Sequence, residues 1–306
     1  MIPVRRLIAL FTAVLMLLSC FVISAAADYT GSRAVVGVDL NDDQVRMVYD
    51  AFGVSRGTVP ELRMTNAMER QYLGGYVDSA IIGTRSISCV FVQLLPAGSG
   101  MNVSVSNITW CTPEMYIAAL ATAGITDANI IVAAPIQVSG TAALAGIYWA
   151  YEDITGLKLD ETAKLVSTQE LTVTGDLAET IGSMEATDIV YDLKLMLTET
   201  QNMTDEQIRQ QIVAIAGQYN VSLTDKQISQ LISLCRSLEG LDDDSLISRV
   251  REVQGTLTKV SNATTKVAGF VTQVKKVVTS VSSFFNKIKD IIGFNNGDGN
   301  TTFAVK

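Results

Sequence analysis

The stretch RSISCVFVQLLPAGSGMNVSVSNITW, Arg85 to Trp110, decides the fold. Its two runs, Arg85 to Leu95 and Met101 to Trp110, are rich in β-branched and aromatic side chains, which suit a pleated, half-buried surface. Between them, Pro96-Ala97-Gly98-Ser99-Gly100 is turn chemistry, so the pair reads as a hairpin or a short two-strand connection.

Upstream, Ala34 to Asp39 reads as a short strand and Asp42 to Phe52 as a helix closed by Gly53; Glu61 to Thr65 is a second strand leading into a helix over Asn66 to Leu73. Downstream, a helix over Pro113 to Ala123, an apolar strand over Asn129 to Ala134 and a helix from Gly140 to about Ile154 follow. Strands alternating with helices predict an α+β (or α/β) domain over residues 28–156, with a buried sheet. From Leu157 the strands stop, and helical spacing through 160–200 and 204–238 predicts a helical domain over 157–241.

Three helix starts share one pattern: Asn41 with Gln44, Thr204 with Gln207 and Thr224 with Gln227. Each has a capping side chain and a Gln three residues on, the two halves of a capping box. Asp39, Asn41 and Asp43 also match the first ligand positions of a calcium loop, but Gln44 stands where that loop needs glycine, and no metal is assigned.

Residues 242–293 form an amphipathic helical segment. Val250, Val253, Leu257, Val260, Thr264, Val267, Val271, Val274, Val278, Val281, Phe285, Ile288 and Ile292 recur at alternating steps of three and four, one stripe of a helix. Lys266, Lys275, Lys276, Lys287 and Lys289 occupy the other side. The chain is split in charge: residues 28–245 hold 12 Lys/Arg against 28 Asp/Glu, and 246–292 hold 8 against 2. The segment can therefore fold back on its own acidic chain, lie on a cell wall or anionic membrane surface, or pair with a copy of itself. The Asn- and Gly-rich tail, 294–306, reads as disordered.

Residues 1–27 have the build of a signal peptide: Arg5 and Arg6, an apolar run from Leu7 to Ile23, then Ala25, Ala26 and Ala27. Cleavage after Ala27 predicts a secreted, extracellular, envelope-associated protein. An uncleaved anchor, or lipoprotein processing at Leu17-Leu18-Ser19-Cys20, are the other readings. Without the leader, 21 basic residues face 31 acidic ones, a balance that argues against a nucleic-acid partner.

The chain contains no histidine, which excludes Ser-His-Asp and Cys-His catalysis and histidine-ligated zinc within it. Cys89 and Cys111 are the obvious disulfide pair in an oxidising compartment, with buried free thiols as the alternative. Glu152 with Asp153, and Asp160 with Glu161, are adjacent in sequence and read as solvated surface, not facing acids. A sharper candidate is a rim. Arg85 and Ser86 at a strand start, Trp110, Thr112 and Glu114 at a strand end and helix start, and Ser139 and Thr141 at a further helix start could converge on a carboxylate, phosphate or glycan. No cofactor is implied.

Several blocks also carry a resemblance: Tyr72-Leu73-Gly74-Gly75, Ile82-Gly83-Thr84-Arg85-Ser86-Ile87-Ser88, Leu94 to Gly100, Asn107-Ile108-Thr109-Trp110 with Thr112 to Tyr116, and Ala133-Ala134-Pro135 with Val138 to Leu144. In this order they resemble the YpuA-like exported proteins of Gram-positive bacteria, a domain of unknown function, across about residues 28–240. The resemblance implies a leader and a lysine-bearing amphipathic C-terminus. It lends no activity or catalytic residues, and no disulfide, because relatives carry small or aliphatic residues where Cys89 and Cys111 stand here. The combined expectation is a binding or scaffolding module at the cell surface, more readily than an enzyme. The alternative is a histidine-free hydrolase of cell-wall material, using two carboxylates brought together from distant positions.

Overall fold

The structure is a computed structural model that describes residues 31–73, 77 and 79–254. The expectations for a leader over 1–27, for the amphipathic segment beyond residue 254 and for a tail over 294–306 fall outside the described residues.

Strand β1 (Ser32–Gly37) is followed by helix α1 (Asp42–Phe52), β2 (Glu61–Met64), α2 (Asn66–Leu73) and a single turn, α3 (Ser79–Ile82). Then come β3 (Cys89–Leu94), β4 (Met101–Ile108), α4 (Pro113–Ala123), β5 (Ala128–Val138) and α5 (Ala143–Thr155). The remaining elements are helical: α6 (Glu161–Ile181), α7 (Ser183–Leu195), α8 (Leu197–Thr200), α9 (Asp205–Gln218), α10 (Asp225–Leu238) and α11, described over 243–254. The α+β architecture is the expected one.

The five strands form one mixed sheet in the order β2-β1-β3-β5-β4. β1 and β2 are parallel, as are β4 and β5, while β3 runs antiparallel to both β1 and β5. Of the two readings of this pair, the hairpin is not formed, because β5 lies between β3 and β4, and the short two-strand connection is. β5 is apolar on both faces over Ile130–Ala134, and a strand covered on both sides belongs at the centre of a sheet. The connection over residues 95–100 spans that extra width, with Gly98 and Gly100 in the left-handed region and the Gly100 N–H donating to Asp127 Oδ1 at the foot of β5 (2.7 Å).

Alternation along the strands sorts the side chains into two cores. Val35, Val90, Val92, Val103, Ile130 and Val132 face α4 and α5, whereas Ala34, Val36, Cys89, Phe91 and Ala133 face α1. On the first face, α4 lies along β4 and α5 along β1 and β3. Beyond these, α6 packs against α4 on one side and against α7 and α10 on another. Helices α7, α9, α10 and α11 gather a third core around Ile189, Ile212, Leu231 and Leu246. Val250 and Val253, the first two residues of the amphipathic stripe, are buried in this chain's own cores. Among the described residues no helix is long and apolar enough to cross a membrane.

All three capping boxes form. The Asn41, Thr204 and Thr224 side chains accept from the N–H groups of Gln44, Gln207 and Gln227, and each Gln side chain accepts from the cap's N–H in return. Thr204→Ala and Thr224→Ala should each cost about 1 kcal/mol, the usual value of such a cap, read as a lower urea midpoint. Unchanged midpoints in both would mean the boxes do not hold in solution.

Candidate functional site

The end of the sheet at which β1, β2, β4 and β5 terminate is where the rim residues meet, in part. β1 stops at Gly37, and the segment leading into β3 crosses so closely over it that a Cβ on Gly37 would lie 2.1 Å from the Ser86 carbonyl oxygen. Only glycine permits that approach. Ser86 itself is buried and tied twice: its N–H donates to Asp39 Oδ2 (2.7 Å) and its hydroxyl to Glu69 Oε1 (2.6 Å). Glu69 is fully buried on α2, and burial pushes its carboxyl above the usual range, against the hydrogen bonds from Ser86 and Asn66. Arg70 completes the net, donating to Asn66 Oδ1 and to the Gly83 carbonyl.

Next to this anchored segment is a pocket of about 280 Å³, lined by residues 82–85 with Ile87 and Ser88 on one side and by Val138, Ser139 and Ala142 on the other. Arg85 is exposed, and among the described residues no carboxylate pairs with it. Ligands in sheets of this kind are commonly held beyond the carboxyl ends of parallel strands. The arrangement offers a guanidinium with the hydroxyls of Thr84, Ser88 and Ser139 nearby, a donor set suited to an anionic group.

Of the seven predicted rim residues, the structure brings Arg85 and Ser139 into that pocket and sends the others elsewhere. Ser86 faces inward onto Glu69. Trp110 packs against Gly175 of α6, where a Cβ would meet its ring at 2.0 Å, and its indole Nε1 donates to Glu179 (2.8 Å). Thr112 caps α4 by accepting from the Met115 N–H, with Pro113 at the first helical position and Glu114 in the first turn. Thr141 is fully buried, its hydroxyl beside the Cys111 thiol. Ser139 does not open a helix as expected, since α5 starts at Ala143 without a side-chain cap. Gly140 explains the detour. Its φ is +96°, and a Cβ there would lie 2.4 Å from Ile108 Cγ2, so the chain turns sharply beneath Tyr116, whose hydroxyl donates to the Gly140 carbonyl (2.6 Å).

Cys89 and Cys111 are free and buried in cores on opposite faces of the sheet, so no bridge joins them. Burial pushes each thiol up to about 12, which keeps both protonated and unreactive at neutral pH.

Of the adjacent carboxylates read as solvated surface, Asp153, Asp160 and Glu161 are exposed and Glu152 is not. Neighbouring helical residues point about 100° apart, so Glu152 faces inward while Asp153 stays near the surface with Arg33. Glu152 accepts from Lys158 (2.7 Å), Lys164 (2.9 Å) and the Leu159 N–H (3.2 Å). Burial would raise its carboxyl, but these bonds outweigh it and hold Glu152 below the usual range. Asp160 caps α6, and Glu161 reaches back to Lys164. A second pair went unread in the sequence: Lys194 of α7 and Glu170 of α6, both almost completely buried, meet at 2.8 Å. The one local hint is a lysine inside the apolar run Ile189 to Leu197, and nothing in the spacing identifies its partner 24 residues away.

The comparisons with known proteins agree with the resemblance carried by the quoted blocks. A family model described as a protein of unknown function, DUF1002, matches residues 36–260. The uncharacterized protein YpuA of Bacillus subtilis (strain 168) is 36% identical over 241 residues, covering 78% of this chain and 82% of that protein. No solved structure matches.

Proposed function

We propose, from the premise that this chain belongs to the DUF1002 family of proteins of unknown function, that it is an exported, envelope-associated binding module whose ligand places an anionic group against Arg85. The observation that carries this reading is a guanidinium that pairs with no carboxylate among the described residues, in a pocket edged by three hydroxyl side chains. Export rests on the leader sequence: Arg5 and Arg6, the apolar run and the three alanines before Asp28. The lysine-bearing segment through Ile292 would supply a second, electrostatic contact with an anionic wall or membrane surface.

Peptidoglycan is the natural first probe. Purified protein starting at Asp28 should be retained on it without releasing soluble sugars or peptides. Release of fragments would instead favour the hydrolase alternative. Arg85→Ala should weaken retention about ten- to hundredfold, the effect of losing a charge-assisted hydrogen bond of roughly 1.5–3 kcal/mol. The melting temperature should stay unchanged, because the side chain is exposed. Equal retention of both proteins would remove the pocket from the account, and a large drop in stability would make Arg85 structural.

A further inference from the structure

The opposite end of α4 carries a second pocket. The C-terminus of α4 at Ala123 and Gly124, the first turn of α6 and the approach to α11 enclose about 450 Å³, within the span of roughly 300–1,000 Å³ usual for small-molecule sites. Arg249 of α11 reaches into it. Its Nε donates to the Ala121 carbonyl (2.8 Å), which also accepts from the Gly124 N–H (3.2 Å) at the end of α4. That bond uses one of the guanidinium's five donors, and among the described residues no acceptor takes the others. Burial also draws the side chain below its usual pKa, against the attraction of Asp242.

Two carboxylates line the same pocket, Asp160 and Asp242. Each is held by its own helix start: Asp160 Oδ1 accepts from the Ala163 N–H (2.8 Å), and Asp242 Oδ2 from the Ser245 hydroxyl (2.7 Å). No ion pair joins Arg249 to either of them. Arg249 and Asp160 thus line the pocket from different helices, α11 and α6, while Asp242 stands seven residues before Arg249 at the start of α11 itself. A doubly charged anion such as phosphate gains from Arg249 but is repelled by both carboxylates. A ligand that carries a carboxylate next to an ammonium satisfies both signs of charge together.

The geometry points to a binding site for a small amino-acid zwitterion, its carboxylate forked by Arg249 and its ammonium set against Asp160 and Asp242. This site is independent of the Arg85 pocket, so Arg85→Ala should leave it intact.

Thermal shift and calorimetry on the protein starting at Asp28 test it, with glycine, L-alanine, D-alanine and L-alanyl-L-alanine as probes. At least one should bind saturably, and its counterparts without one charge, N-acetylalanine and alaninamide, should bind at least tenfold more weakly. Inorganic phosphate should not compete. Arg249→Lys keeps the charge but loses the fork, and should weaken binding at least tenfold. Should that variant prove unstable through its contact with Ala121, Thr162→Phe fills the pocket from an exposed position and should abolish binding with Arg249 in place. Failure of all four zwitterions to bind, phosphate binding as tight as theirs, or affinity unchanged in Thr162→Phe would each overturn the assignment.

Discussion

Replacing Lys194 with alanine is expected to cost about 3–5 kcal/mol, the usual penalty for removing one partner of a buried ion pair. For a chain of this size that corresponds to a fall in melting temperature on the order of 10 °C. The ammonium donates to Glu170 Oε1 (2.8 Å) and to the Ala118 carbonyl (3.0 Å), while Thr122 donates to the other Glu170 oxygen (2.5 Å). These contacts join α4, on the sheet, to α6 and α7 of the helical layer, where neither charge reaches water. Alanine would leave the Glu170 carboxylate buried with one hydroxyl for company. The double variant Lys194→Met with Glu170→Leu should recover most of the loss, because well-packed apolar groups replace a buried pair at little cost or with a gain. Urea unfolding of the two single variants and the double decides it. A single variant that loses less than about 1 kcal/mol would show the pair to be hydrated in solution.

Gly37→Ala should be nearly as damaging, and it should also disable the Arg85 pocket. The added Cβ would sit 2.1 Å from the Ser86 carbonyl oxygen and 2.6 Å from its carbon, both backbone atoms that no side-chain rotation can move away. Overpacking of this kind costs roughly 1–3 kcal/mol, and displacing Ser86 also breaks its bonds to Asp39 and Glu69, the latter in full burial. A combined loss of about 3 kcal/mol or more is expected, together with loss of retention on peptidoglycan. Gly53→Ala is the control. That residue also has a positive φ, +68°, but a Cβ there would meet nothing within 4 Å, so a loss of about 1 kcal/mol with normal retention should follow. If Gly37→Ala matches Gly53→Ala in both measurements, the 84–88 segment does not rest on β1 as described.

The candidate site was half legible. Arg85 and Ser139 stand 54 positions apart, and the expectation that they meet came from placing one at a strand start and the other at a helix start. The antiparallel pairing of β3 with β5 then brings those ends together. Trp110 was misplaced for a reason the sequence does not display: its ring is taken up by Gly175, 65 residues later on a helix whose spacing says nothing of what lies over it. Pocket residues around Arg249 were hidden in the same way, because α4, α6 and α11 contribute one piece each.

What the sequence determined by itself are the features written within three or four residues. Among them are the three capping boxes, the Thr112-Pro113 helix start, the glycine that closes α1, and the alternation that divides β1 and β3 between two cores. Each depends on contacts between near neighbours, whose geometry the backbone period dictates. Only the tertiary structure decided that β5 parts β3 from β4, that Glu152 turns inward to Lys164, and that α6 buries Lys164, Thr168 and Glu170 between two layers. Those outcomes are choices among distant partners, settled by which packing covers the most apolar surface while leaving no buried charge alone, and neither quantity is a property of any short stretch of chain.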